Sequence, residues 1–378
     1  MALNDSASIP AILARHAAAH GRETILRKKD RGIWKPVTWT ELSDHVGLVR
    51  AGLHQAGFTS GEVAGILSHT RPEAAYADLA ILSAGGTSLA IHPDEEPEQL
   101  AQILRSTNCS LLFVENEEQL DKALTVRGNC PALRRIVIFD MKGLRDLADP
   151  QCSSLASFHG SGQAPETPID PGARALILVA LGDKVGKPRS LTHGDIMRIL
   201  KNTSSFLELR PGDERLAVLP MSTLTEHVLG LYLSLQGRTI TNYLESPDTA
   251  MENLQEVQPT VFGADAPTWS HLHERVARAA SAATRVQGAL YQWALAAAKK
   301  GGTSARLARL LALNAVRREL GLNRLRLAYV CGAPVRPDVL AWAEALGIRI
   351  ERVDRPALRD ATADARSLAV MEEAYSGS

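Results

Sequence analysis

The sequence predicts an α/β protein built around largely parallel sheets. Two observations carry that prediction. Short apolar runs alternate with helix-length amphipathic segments, and Gly or Pro marks many of the junctions between them. A third observation is length: 378 residues are too many for one ordinary core and enough for more than one subdomain.

The elements follow in order. "EVAGIL" reads as a buried strand, and "RPEAAYADLAILSA" as a helix with Pro72 in its first turn and Gly85-Gly86 ending it. "TSLAI" is the next strand, "EPEQLAQILRS" a helix, "SLLFVE" a strand, "EEQLDKALTVR" a helix and "RRIVIFD" a strand. This β-α-β-α-β-α-β order implies a mostly parallel sheet with helices on its faces. The stretch "HGSGQAPETPIDPGA" is rich in Gly, Pro and Ser and reads as a connector. The expected organisation is a first subdomain over 1–160, a connector over 161–173, a second subdomain over 174–360 and a polar tail over 361–378. In the second block "RALILVA", "ERLAVLP" and "RTITNYL" are strands. A helix starts at Thr192, with Ile196, Ile199, Leu200, Thr203 and Leu207 along one face. "RVARAASAATRVQGALYQWALAAAKK" reads as a long helix whose core stripe is Leu290, Trp293, Ala294 and Ala297. "LRLAYVCGAPVRPDVLAWAEALGIRIERVD" then reads strand, turn, helix, strand.

Composition excludes several function classes. Lys+Arg and Asp+Glu both number 42, so no global field favours nucleic acid or anionic lipid. No apolar run reaches the roughly 20 residues of a membrane span, and the N-terminus has no secretory pattern. Cys109, Cys130, Cys152 and Cys331 lack metal-site spacing and read as reduced thiols, so a cytoplasmic location is expected and no metal site is assigned.

The chemistry-bearing stretch is "LVALGDKVGKPRSLTHGD", Leu178 to Asp195, an apolar strand running through glycines and cations into a helix start. Such a junction offers free backbone N–H groups and a helix dipole to an anion. It is not a P-loop, because Gly182 and Gly186 have three residues between them instead of four and Pro188 follows Lys187. No GxGxxG is present. The residues alone leave phosphate binding and a plain strand-to-helix turn both open.

Taken together, "RGIWKPVTWTELSDHV", "RPEAAYADLAILSAGG", "LRPGDERLAVLPM", "HVLGLYLSLQGRTITNYLESPDTAMENLQEVQPTVF" and "LRLAYVCGAPVRPDVL" resemble the AMP-dependent synthetase (adenylate-forming) superfamily, in its long-chain fatty acyl-CoA synthetase branch. The resemblance implies the N-terminal domain of that fold, two α/β subdomains with parallel sheets flanked by helices, with the C-terminal lid domain absent. It also implies carboxylate activation by ATP to an acyl-adenylate, followed by transfer to coenzyme A.

Carried over by position, the family's phosphate loop TSGTTGKPKGVMLTH keeps Gly186, Lys187, Pro188, Arg189, Leu191, Thr192 and His193 here. "VALGDKV" replaces its hydroxyl-rich part, leaving Gly182 and Lys184 as further candidate phosphate contacts while Asp183 adds negative charge. In the segment like PLCHVAER, Glu226 is kept, and Thr223 and His227 stand where the family has histidine and arginine. Glu226 is the candidate catalytic residue. The candidate substrate pocket is Thr223, Glu226 and His227 together with Trp269, the last from the segment like FFGVPRIWE. Gly332, Ala333 and Pro334 match the adenine-side GGAP motif. Where the family has YGLTE, with its phosphate threonine and magnesium glutamate, this chain has "DRPAL", Asp354 to Leu358.

The resulting expectation is a synthetase-like protein without adenylation, binding a fatty acid, acyl-CoA, acyl-adenylate or a partner synthetase. The alternative is a divergent fatty acid–CoA ligase completed by a separate lid-domain polypeptide. ATP or AMP, Mg²⁺ and coenzyme A belong only to that active alternative.

Overall fold

The computed structural model describes residues 8–162, 164–165, 167–179, 188–300 and 302–353. Its largest sheet has seven strands, in the order Cys152–Ser154, Arg135–Ile138, Cys109–Val114, Val63–Leu67, Thr87–Ile91, Arg174–Leu178 and Arg189–Thr192. All neighbours are parallel except the last pair. Val63–Leu67, Thr87–Ile91 and Cys109–Val114 are buried at every residue, which is why each reads as a continuous apolar run. Between them the predicted helices form as Pro72–Ser83, Pro97–Ser106 and Glu117–Arg127, and Gly85 ends the first at φ 74°.

A second sheet has the order Glu214–Ala217, Ile240–Tyr243, Thr24–Asp30, Ile33–Thr38, with only the last pair antiparallel. A third runs Val261–Gly263, Leu327–Val330, Ile350–Arg352, all parallel. The sheets do not respect the connector. Arg174–Leu178 extends the first sheet beside Thr87–Ile91, and Thr24–Asp30 joins the second beside Ile240–Tyr243. The change of composition near residue 160 therefore marks a crossing between interleaved blocks.

The helix His193–Ser204 is capped by Thr192, whose hydroxyl accepts from Asp195 N at 3.0 Å while the Asp195 carboxylate accepts from Thr192 N and Oγ1. Its predicted apolar face, Ile196, Ile199, Leu200, Thr203 and Leu207, is buried.

The expected single helix over 275–300 is two, Ala266–Ala282 and Arg285–Lys300, with Ala283 extended between them. Its stripe also splits. Ala294 and Ala297 pack inward, but Leu290 and Trp293 are exposed. Alanine contacts let neighbouring helices approach closely, so the large residues one step round the helix are left outside.

One close approach fixes the helix Trp39–Gln55 against the chain entering the connector. A Cβ on Gly52 would lie 2.0 Å from the Phe158 carbonyl oxygen, and Gly160 N donates to Leu48 O at 3.0 Å. Gly52→Ala is expected to destabilise the protein by about 1–3 kcal/mol through overpacking. Chemical denaturation measures this, and an unchanged midpoint would contradict the contact.

Candidate functional site

The parallel strands of the first two sheets end at one cleft of about 530 Å³. The first sheet contributes His69, Thr70 and Arg71 after Val63–Leu67, His92 to Asp94 after Thr87–Ile91, Glu115 and Asp140. The second contributes Lys28 to Asp30, Ala217 to Pro220 and Leu244 to Pro247. Chain order reverses at Val63–Leu67, since the next strand lies on one side and the following one on the other. Ligands of open parallel sheets bind outside the carboxyl ends of the strands at such a switch point. The strand Arg174–Leu178 reaches the same edge, with Leu178 paired to Ala90 just before His92.

Each cation of this cleft already faces a carboxylate. Lys28 contacts Glu73, Arg71 Nε lies 2.8 Å from Glu73 Oε2, and Arg71 Nη1 lies 3.4 Å from Glu115 Oε1. His69 places Nδ1 2.8 Å from Glu115 Oε2, and its backbone N–H donates to the same oxygen at 2.7 Å. Lys29 donates to both oxygens of Glu256 at 2.7 and 2.8 Å, whereas burial lowers the pKa of His92, whose Nδ1 accepts from Asp94 N at 3.2 Å. Burial opposes the charge on Glu73, but Arg71 and Lys28 overcome it and hold the carboxyl down at about 2. The hydrogen bond to Glu115 raises His69 above its ordinary value. Beside the cleft, burial pushes the Glu95 carboxyl up to about 7, with Asp94 and Glu96 adding repulsion.

The sequence-predicted residues fall elsewhere. Gly182, Lys184, Gly186 and Lys187 lie outside the described residues, as does the segment aligned with YGLTE. Arg189 sits on the edge strand Arg189–Thr192, and Thr192 is a helix cap. Thr223, Glu226 and His227 do come together, at the entry to a π-helical segment, Thr225–Tyr232. Their partners are protein groups. Thr223 Oγ1 donates to Pro220 O and accepts from Glu226 N. Glu226 is buried and places Oε1 and Oε2 2.7 and 2.6 Å from Arg215 Nη2. Burial works against the Arg215 charge, yet Glu226 holds its pKa above the ordinary value. His227 has Nδ1 2.9 Å from Met221 O and Nε2 2.9 Å from Asp78 Oδ1, while Tyr232 donates to Asp78 Oδ2 at 2.8 Å. Trp269 is fully buried against Phe262, with ring centroids 5.4 Å apart. Gly332 turns at φ 84° after Leu327–Val330, with Ala333 buried and Pro334 exposed. None of Gly332, Ala333 and Pro334 lines the cleft. Among the described residues no group of three or more His, Cys, Asp or Glu is arranged to hold a metal.

Sequence reasoning missed Asp78, Arg215 and the charged lining His69, Arg71 and Glu115. A signal existed for Asp78, a charged residue inside the otherwise apolar run "AAYADLAIL", and such a residue needs a buried partner.

The fold is that of the N-terminal domain of adenylate-forming enzymes. The anthranilate CoA ligase AuaEII, solved with anthranoyl-AMP, superposes with a TM-score of 0.68 at 18% identity, over 91% of this chain and 58% of that one. The adenylation domain of a Mycobacterium chelonae carboxylate reductase gives 0.72 at 17%, over 93% and 58%. The family model of the AMP-binding enzymes matches residues 13–353, and the chain belongs to that family, in its long-chain acyl-CoA synthetase branch. The long-chain-fatty-acid–CoA ligase ACSBG2 of Xenopus laevis is 22% identical over 92% of this chain and 51% of its own length. FadD15, a ligase of the same description from Mycobacterium bovis, is 25% identical over 60% of this chain and 38% of its own. The chain thus spans about half the length of the ACSBG2 relative it matches.

Two outcomes follow from the buried charges. Asp78→Ala removes the interior carboxylate shared by the His227 ring and the Tyr232 hydroxyl and leaves them only each other, 3.0 Å apart, at about 1–3 kcal/mol. Urea denaturation should show that loss, and a variant as stable as the parent would contradict the network. Glu95 has a folded value above its ordinary 4.5, so its contribution to stability is complete below that pH and is lost as pH rises through about 7. Between pH 5 and pH 8 the parent should lose stability relative to Glu95→Gln, roughly in the window set by that shift. Parallel stability curves would refute the assignment.

Proposed function

We propose that this chain is an acyl-CoA synthetase-like protein that binds an acyl-adenylate-type ligand at the strand-end cleft without carrying out adenylation itself. The observation that carries the reading is that no lysine or arginine of the cleft is uncommitted. Lys28, Lys29, Arg71 and His69 are paired with Glu73, Glu115 and Glu256, while Asp30, Asp94, Asp140 and Glu245 add further negative charge to the lining. ATP brings several negative charges that need uncommitted cations, whereas an acyl-adenylate brings about one. At about 530 Å³ the cleft falls within the usual range for small-molecule sites.

Two further facts support the reading. The retained family glutamate, Glu226, is occupied by Arg215 in the interior, and His227 by Asp78. The motif positions that resemble the phosphate loop and YGLTE carry "VALGDKV" and "DRPAL", without the hydroxyls and the glutamate that adenylation uses. An adenylation step that loses such groups slows by orders of magnitude.

The test is calorimetric titration with a stable acyl-sulfamoyl-adenosine and with ATP, each with and without Mg²⁺, alongside fatty-acid-dependent ATP–pyrophosphate exchange. The mimic should bind at least about tenfold more tightly than ATP, independently of Mg²⁺, with no exchange; this follows from the charge difference. Exchange with any fatty acid would overturn the non-catalytic reading. Absence of heat from folded protein, with mimics of several chain lengths, would overturn the ligand reading.

A further inference from the structure

The neutral chain conceals an uneven charge distribution. Residues 266–320 hold nine Lys or Arg and two Glu, leaving 33 Lys or Arg against 40 Asp or Glu in the rest. This segment is almost wholly helical, comprising Ala266–Ala282, Arg285–Lys300, Gly302–Ala308, Arg309–Leu313 and Asn314–Glu319. Arg275, Arg278, Arg285, Lys299, Lys300, Arg306 and Arg318 are exposed, and none of them forms an ion pair with a described residue.

The same helices carry the exposed apolar surface. Of eight large hydrophobic side chains exposed among the described residues, five lie between 286 and 311: Val286 (78%), Leu290 (41%), Trp293 (44%), Leu307 (49%) and Leu311 (56%). Val286, Leu290 and Trp293 follow i, i+4, i+7 spacing and share one face of Arg285–Lys300; Leu307 and Leu311 are likewise four apart. An open apolar groove of about 390 Å³ lies alongside, lined by Ala279, Ala283, Leu290, Tyr291, Leu311 and Ala312. Leu290 and Leu311 belong to both groove and crest.

We propose that this basic helical face is a peripheral docking surface for an anionic lipid bilayer. Charge complementarity selects that occupant: cations attract the anionic headgroups while the aliphatic crest enters the headgroup–acyl boundary. Trp293 supplies the amphipathic aromatic favoured at such interfaces. Nucleic acid would also attract the cations, but it offers no apolar phase to cover Val286, Leu290, Leu307 and Leu311. A protein partner would have to bury this crest beside a density of cations that interface cores usually avoid. No described helix is long and apolar enough to cross a membrane, so the attachment is superficial.

Vesicle co-sedimentation of the whole chain tests this, using pure phosphatidylcholine against phosphatidylcholine containing phosphatidylglycerol. The protein should partition onto the anionic vesicles, with release by salt and a blue shift of tryptophan emission that Trp293→Phe abolishes. Val286→Glu/Leu290→Glu, and separately Arg285→Glu/Lys299→Glu/Lys300→Glu, should each reduce partitioning by about tenfold or more. These positions are exposed, so circular dichroism and melting should match the parent. Equal sedimentation with neutral and anionic vesicles would overturn the proposal, as would indifference to either variant. So would self-association abolished by Val286→Glu/Leu290→Glu, which would assign the crest to a second copy, or tighter binding to single-stranded RNA than to anionic vesicles.

Discussion

The contact between Arg215 and Glu226 constrains how the three sheets meet. Arg215 belongs to Glu214–Ala217 of the second sheet, and Glu226 opens the π-helical segment. That segment also receives Asp78 from the helix Pro72–Ser83, which covers the first sheet, through His227 and Tyr232. Tyr329 of the third sheet donates to Leu229 O at 3.0 Å. Gly230 makes room for the ion pair, since a Cβ there would lie 2.8 Å from Glu226 Oε1 and 2.9 Å from Arg215 Nη2. Both side chains are almost wholly excluded from water, so removing either one leaves an uncompensated interior charge, a loss of about 3–5 kcal/mol. A π-helical winding is uncommon and recurs at functional sites. In this chain its polar residues join sheets to one another.

In that arrangement the polar side chains of the region are held by other protein groups. Glu226 and His227 occupy positions that resemble a substrate-contacting segment, yet each is committed to a protein partner. The open space lies at the strand ends, and its charged groups are committed too, to one another. On the proposed reading, that pairing leaves no lysine or arginine of the cleft uncommitted for a polyphosphate, and a ligand with one charge and an apolar tail suits such a surface better.

Much of the fold is legible in the sequence, and the reason is burial. Val63–Leu67, Thr87–Ile91 and Cys109–Val114 are enclosed on both faces, so their residues are apolar without interruption and the strands announce themselves. The Thr192 cap is equally readable, because its partner Asp195 lies three residues away. Long-range choices are not readable in this way. Nothing local in "TILRKKD" indicates that it pairs with "ITNY" more than two hundred residues later. The site shows the same division. Glu226 stands out in sequence by resemblance, but whether it faces a ligand or an arginine depends on the fold. The cleft lining of His69, Arg71 and Glu115 comes from separate loops that only the sheet brings together. Leu290 and Trp293 fit a core stripe by spacing, and three-dimensional packing on Ala294 and Ala297 leaves them outside.

A double-mutant cycle on Arg215 and Glu226, read by urea denaturation and by affinity for the acyl-sulfamoyl-adenosine, bears most directly on this account. Arg215→Met and Glu226→Leu should each destabilise strongly, by about 3–5 kcal/mol, while the double variant recovers most of that loss and still binds the mimic. Additive effects on stability, or single variants that fold normally and lose the ligand, would contradict it and return Glu226 to the binding site.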